Sequence, residues 1–87
     1  MKILLFGKES CPVCKSVQEK LEYYSNKYHP LEIIYYDTDT VDGLTEAAYR
    51  SAIDIPTVIL VEGENEVRRW VQSAPTFAEL DELLARK

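Results

Sequence analysis

Ile3-Leu4-Leu5-Phe6-Gly7-Lys8-Glu9-Ser10-Cys11-Pro12-Val13-Cys14 is the stretch on which the reading of the whole chain turns. Its apolar run, Ile3 to Phe6, is closed by Gly7 and suits a short buried strand. A polar loop follows, and Pro12 then stands where a helix tolerates proline, in its first turn. From Pro12 to about Lys27 the residues Val13, Val17, Leu21, Tyr24 and Tyr28 recur at spacings of three and four, which makes one apolar helical face. His29-Pro30 stops that helix, and His29 is expected to be solvated at its end. The two cysteines therefore sit at a strand-to-helix junction, both at the N-terminal end of the helix.

That position gives the pair its chemistry. Three residues apart on a helix, side chains face the same way with Cβ atoms ~5–6 Å apart. A disulfide wants ~3.8 Å, so closure needs a modest tightening and the bridge is expected to be readily reducible. Cys11, at the edge, meets the positive end of the helix dipole and its unpaired N–H groups. Pro12 offers no N–H, which leaves the amides of Val13 and Cys14 to stabilise a thiolate. Lys8 adds positive charge if the loop folds back. Surroundings of this kind lower a thiol pKa from ~8.5 into the ~3.5–7.5 range. Cys11 is the expected nucleophile and Cys14, one turn further in, the resolving thiol.

Other uses of the pair are weaker. A bridge over so short a loop restrains the unfolded chain little, so it is a poor structural staple. A closed zinc site wants four ligands, and only His29 remains as a further nitrogen or sulfur donor. No metal site is expected within one chain. Two chains sharing an iron–sulfur cluster could supply four thiolates, and that stands as the alternative function. An inert pair on a protein adaptor is a third.

The rest of the chain alternates in the same way. Leu31 to Tyr36 is rich in branched and aromatic residues and reads as a second strand. Asp42 can cap a helix to about Ala52. Thr57 to Val61 is a third strand, buried on both faces. Gly63-Glu64-Asn65 turns into a fourth strand, Glu66 to Val71, making a hairpin. Thr76 and Glu79 form a capping box for a last helix that turns Phe77, Leu80, Leu83 and Leu84 inward. The expected fold is α/β: a four-stranded mixed sheet flanked by three helices, in the order β-α-β-α-β-β-α.

Composition sets the outer bounds. With 87 residues there is room for one domain, residues 1–87, and an apolar share of 46% supports a single core. The net charge of −5 is spread through mixed signs, so nucleic acid is not an expected partner. The first apolar run is too short for a signal peptide, and no stretch reaches the ~18 apolar residues of a membrane span. A cytoplasmic protein, monomeric and away from membranes, is expected, and there a close cysteine pair is more often catalytic or metal-binding than structural. Six tyrosines are read as structural. Trp70 is expected to cover the hairpin or to help dock a partner, and Arg68 and Arg69 to line a solvated strand face.

Cys11-Pro12-Val13-Cys14 at the first strand–helix junction, followed later by Ile55-Pro56-Thr57-Val58 at a strand start, resembles the thioredoxin superfamily over essentially the whole chain. The resemblance implies a thiol–disulfide oxidoreductase that reduces protein disulfides. It implies that Pro56 is cis and packs beside the cysteines, and that Ile55 offers its backbone to an extended client segment. By the same likeness Lys8, Pro12, Val13, Ile55, Pro56 and Ser73 form the surface a substrate meets. Lys8 with the dithiol is similar to glutaredoxins. The glycine pair that glutaredoxins carry after the last strand is replaced by Gln72-Ser73-Ala74-Pro75, which removes the usual holder of glutathione. Ser10 stands where thioredoxins carry tryptophan, and the strand before the dithiol lacks their buried acid. The pattern is similar to small glutaredoxin-like thioredoxins. It implies no cofactor beyond the Cys11–Cys14 disulfide, with a reductase of the thioredoxin-reductase type expected ahead of glutathione as the electron donor.

Overall fold

A computed structural model describes residues 1–85. Strand β1 (Lys2–Gly7) leads into helix α1 (Pro12–Lys27), strand β2 (Glu32–Asp37) and helix α2 (Val41–Tyr49). Strands β3 (Thr57–Glu62) and β4 (Asn65–Val71) follow, then helix α3 (Phe77–Ala85). The strands form one mixed sheet in the order β2-β1-β3-β4. β1 runs parallel to β2 and antiparallel to β3, which is antiparallel to β4. The parallel pair cannot be joined by a tight turn, so α1 crosses the face of the sheet between its two strands. The order and layering are those expected from the sequence.

The period-2 alternation of strands sorts the central residues onto two faces. On one, Ile3, Leu5, Val58 and Leu60 pack with Val17, Leu21 and Tyr24 of α1 and with Leu80, Leu83 and Leu84 of α3. On the other, Leu4, Phe6, Ile59 and Val61 pack under Ala47 of α2 and Ala52 beyond it. Both faces of β1 and β3 are therefore dry, which is why these two strands read as unbroken apolar runs. Full burial of a side chain of this size contributes roughly 1.5–3 kcal/mol, so the two central strands anchor the dithiol end of the sheet.

Several local expectations change. Thr40, not Asp42, caps α2: its hydroxyl accepts the Gly43 N–H at 3.0 Å, while Asp42 lies in the first turn. The helix ends at Tyr49 rather than near Ala52. Ser51 takes a left-handed φ of 55°, and the N–H groups of Ala52 and Ser51 close back on the carbonyls of Ala47 and Ala48. That is a Schellman ending with serine in the place glycine usually fills. Tyr28 caps α1 and is 61% exposed, at the rim of the core face, where its ring still packs beside Tyr24 and Phe77. β2 begins at Glu32 rather than Leu31, and β4 at Asn65, with an irregularity in the hairpin between Leu60 and Val61. Trp70 does not cover the outside of the hairpin. It is 7% exposed and joins the core of the α1 and α3 face, its ring N–H directed to Glu79 at 3.4 Å.

The capping box of α3 forms as read. Glu79 N–H donates to the Thr76 hydroxyl at 3.1 Å, and Thr76 N–H donates to the Glu79 carboxylate at 2.9 Å. The backbone bond from Thr76, with smaller help from Trp70 and Arg68, holds the Glu79 carboxyl below its ordinary pKa.

Candidate active site

The loop after β1 is short because it is closed on itself: Cys11 N–H donates to the Lys8 carbonyl at 3.1 Å. This turn delivers Cys11 to the N-cap of α1, with extended backbone, and Pro12 opens the helix behind it. Serine, threonine and aspartate usually fill that position because an oxygen there accepts a helix N–H. Here sulfur takes the role. Cys11 Sγ accepts the Cys14 N–H at 3.1 Å. The same N–H was one of the two donors expected to face Cys11.

Cys11 and Cys14 are joined as a disulfide with their Cα atoms 5.2 Å apart. The two sulfurs differ in surroundings, as anticipated. Cys11 is partly exposed, whereas Cys14 is 1% exposed and lies against the end of β1. Gly7 makes that approach possible: a Cβ there would stand 2.9 Å from both Cβ and Sγ of Cys14. In the sequence, Gly7 marks only the end of a strand. Its closeness to Cys14 comes from the crossover of α1, which no local pattern announces.

The second wall is the segment before β3. Ile55–Pro56 is a cis peptide bond, and Pro56 is buried. Phe6 pairs with Thr57 across the β1–β3 ladder, so Pro56 lies one step further on, opposite Gly7 and hence at the dithiol end of the sheet. The segment is tied at three points. The Thr57 hydroxyl donates to the Asp54 carbonyl. Gln72 N–H, from the end of β4 with φ at 53°, donates to the Pro56 carbonyl at 2.7 Å. The Arg69 guanidinium donates to the carbonyls of Arg50 and Ser51 at 2.8 and 3.0 Å. Arg69 was expected on a solvated face. Instead it clamps the end of α2 while pairing with Glu66 at 2.7 Å.

Of the other residues expected at the site, Val13 is 59% exposed beside the cysteines and Pro12 is also exposed. Ile55 is half-buried next to Pro56, and Ser73 is exposed directly after Gln72, which ties it to the Pro56 segment. Lys8 joins the site through its carbonyl; its side chain is half-buried. His29 is exposed at the far end of α1. Among the described residues no group of three or more His, Cys, Asp or Glu side chains is arranged to hold a metal ion. No helix among them is long and apolar enough to cross a membrane.

A family model described as the glutaredoxin-like domain (DUF836) matches residues 2–84. Among solved structures, thioredoxin 1 of Thermosipho africanus is 24% identical with a TM-score of 0.78, covering 99% of this chain and 92% of its own. Oxidised thioredoxin O2 of Arabidopsis thaliana is 16% identical with a TM-score of 0.76, over 98% and 72% of the two chains. The thioredoxin of Fasciola hepatica is 24% identical with a TM-score of 0.73, over 97% and 77%. Identities this low show the shared fold, and no curated protein sequence matches the chain significantly. A thioredoxin-like sheet, a Cys-x-x-Cys pair at the N-cap of its first helix and a family match over nearly every residue lead to one assignment: the chain belongs to the glutaredoxin-like domain family and has the thioredoxin fold.

Proposed function

We propose that the protein is a thiol–disulfide oxidoreductase that reduces protein disulfides through Cys11 and Cys14. The observation that carries this reading is the asymmetry of the pair: Cys11 partly exposed at a helix N-cap with a backbone N–H on its sulfur, Cys14 buried behind it. In the reduced protein that N–H and the helix dipole favour negative charge on Cys11. The Cys11 thiolate attacks a client disulfide, forming a mixed disulfide and releasing one client thiolate, which takes a proton from water. Cys14, after losing its proton, attacks Cys11 Sγ. The Cys11–client bond breaks, the second client thiolate leaves, and the intramolecular disulfide remains.

Client recognition is assigned to the exposed rim. Val13 offers an apolar contact, and the backbone of Ile55 beside Pro56 offers hydrogen bonds to an extended segment. Ser73 and Lys8 stand at the border of that rim. Pairing by backbone tolerates many client sequences. An electron donor of the thioredoxin-reductase type fits this rim better than glutathione, because Gln72-Ser73 replaces the glycine pair that would hold the tripeptide. The cytoplasm, where reduction of this kind is sustained, is the proposed compartment.

Two measurements test the reading. Insulin reduction should be abolished by Cys11→Ser, while Cys14→Ser should accumulate mixed disulfides. In graded glutathione buffers the pair should equilibrate with a midpoint between about −200 and −280 mV, the range of cycling dithiols. A pair that never closes, or one that stays closed far below about −300 mV, sinks the proposal.

A further inference from the structure

The resolving step asks something awkward of Cys14. It must become a thiolate, yet it is 1% exposed, and burial disfavours the charged form. The strand beneath gives no help: Ile3 to Phe6 are apolar and Gly7 has no side chain. The neighbouring strand does. Tyr35 of β2 pairs with Leu5 and packs on the same face as α1, with its ring edge reaching Gly7. The point at which a Gly7 Cβ would stand is 2.9 Å from Cys14 Sγ and 3.5 Å from Tyr35 Cε1. Sulfur and ring edge thus both border the space that the missing Gly7 side chain leaves open.

Tyr35 is half-buried, with its ring packed on the core and no stranded polar atom. Burial first, and then the charges of Asp37, Glu9 and Asp39, push its phenol above the ordinary value of 10.0. Glu9 lies in the loop before α1, Asp37 closes β2 and Asp39 follows it. The hydroxyl therefore keeps its proton throughout the neutral range and acts as a donor, never as a base.

Resting on the oxidoreductase reading above, we propose that Tyr35 serves Cys14 in the second half of the exchange, its hydroxyl donating a hydrogen bond to the Cys14 sulfur once the disulfide has opened. The Cys14 proton leaves to water and the phenol O–H steadies the thiolate. The thiolate then displaces the client from Cys11, and the departing client thiolate takes up a proton from water. Tyr35 is not consumed, and no electron passes through it. Cys11 has its own donor in the Cys14 N–H, so the first attack does not depend on the phenol.

The experiment compares Cys11→Ser with Cys11→Ser/Tyr35→Phe, following Cys14 by the pH titration of its labelled ¹³Cβ resonance. Loss of the hydroxyl should move the Cys14 midpoint alkaline by about one pH unit, a tenfold change in its ionisation. In the otherwise wild-type protein, Tyr35→Phe should slow release from a preformed mixed disulfide about threefold at pH 7, because a less acidic thiol is also the better nucleophile, and the deficit should disappear in alkali. Formation of that mixed disulfide should keep its rate. An unchanged or acid-shifted Cys14 midpoint overturns the proposal. Because the titration needs no client, it judges Tyr35 even if the protein proves unable to reduce insulin, an outcome that would count against the oxidoreductase reading alone. Phenylalanine keeps the ring, and equal thermal midpoints for the paired variants separate the effect from a loss of packing.

Discussion

Gly7 shows how much one absent side chain can decide. It ends a strand whose other residues are large, and its bareness lets the first turn of α1 settle onto the sheet with Cys14 inside. Carbon atoms in contact prefer ~3.5–4.0 Å, so a methyl 2.9 Å from Cys14 Cβ and Sγ must displace one of them. Gly7→Ala is expected to lower stability by about 1–3 kcal/mol, seen as a lower urea midpoint at unchanged m-value. The same change should slow closure of the Cys11–Cys14 disulfide more than alkylation of Cys11, since only Cys14 is pressed. Equal closure rates in the two proteins would show that Cys14 has room to spare. The cysteine pair at a helix start was legible in the sequence, because the spacing and the helix start are local. The pressure of Gly7 on Cys14 was not, because it joins a strand end to a helix through a crossover.

At the level of elements, the end of α2 is fastened from outside. Its last carbonyls lack helical partners. Arg50 and Ser51 give theirs to Arg69 from β4, and Glu66 holds the guanidinium in turn. Replacing Arg69 with methionine, which keeps the apolar stem, is expected to cost about 1–2 kcal/mol in urea unfolding at pH 7, discounted for partial exposure. The hydrogen bond from Arg69 is the main cause that holds the Glu66 carboxyl below its ordinary 4.5. A depressed carboxyl contributes its stability in full above the unfolded value and loses it as pH falls through the folded one. The penalty of Arg69→Met should therefore be smaller at pH 3 than at pH 7, with the two carbonyl bonds accounting for what persists. An equal penalty at both would remove Glu66 from the clamp. The alternation of β4 was readable in the sequence, but an arginine on a strand looks the same whether it meets water or a helix end.

Across the whole molecule, the two helices on the dithiol face are joined by a polar contact at the edge of their apolar layer. The Tyr24 hydroxyl of α1 donates to Asp81 of α3 at 2.6 Å. Burial, followed by that bond and the charge of Asp81, pushes the Tyr24 phenol up to about 12. The folded protein thus keeps a proton that the unfolded chain releases near the ordinary 10.0. This contribution is whole below pH 10 and is lost as pH rises through 12, amounting to about 2–3 kcal/mol over the interval. Thermal midpoints followed from pH 8 to alkali should fall more steeply in the wild type than in Tyr24→Phe. Parallel curves would deny the link between the helices.

What the sequence determined by itself was whatever repeats over a few residues. The order of strands and helices, the capping box of Thr76 and Glu79, and the dithiol at a helix start all rest on periods of 2 or 3.6 and on neighbouring residues. The tertiary structure decided the rest. Asp37, Asp39, Thr40 and Asp42 are all able to cap a helix; Thr40 does so because its N–H and hydroxyl are held by the Asp37 carbonyl where β2 ends. Trp70 faces the core because the hairpin register turns that side of β4 toward α3. Gly7, Cys14 and Tyr35 meet only where a crossover helix descends on two parallel strands. Local patterns fix which face of an element is apolar, but the chain must close over long distances before any residue knows its neighbour.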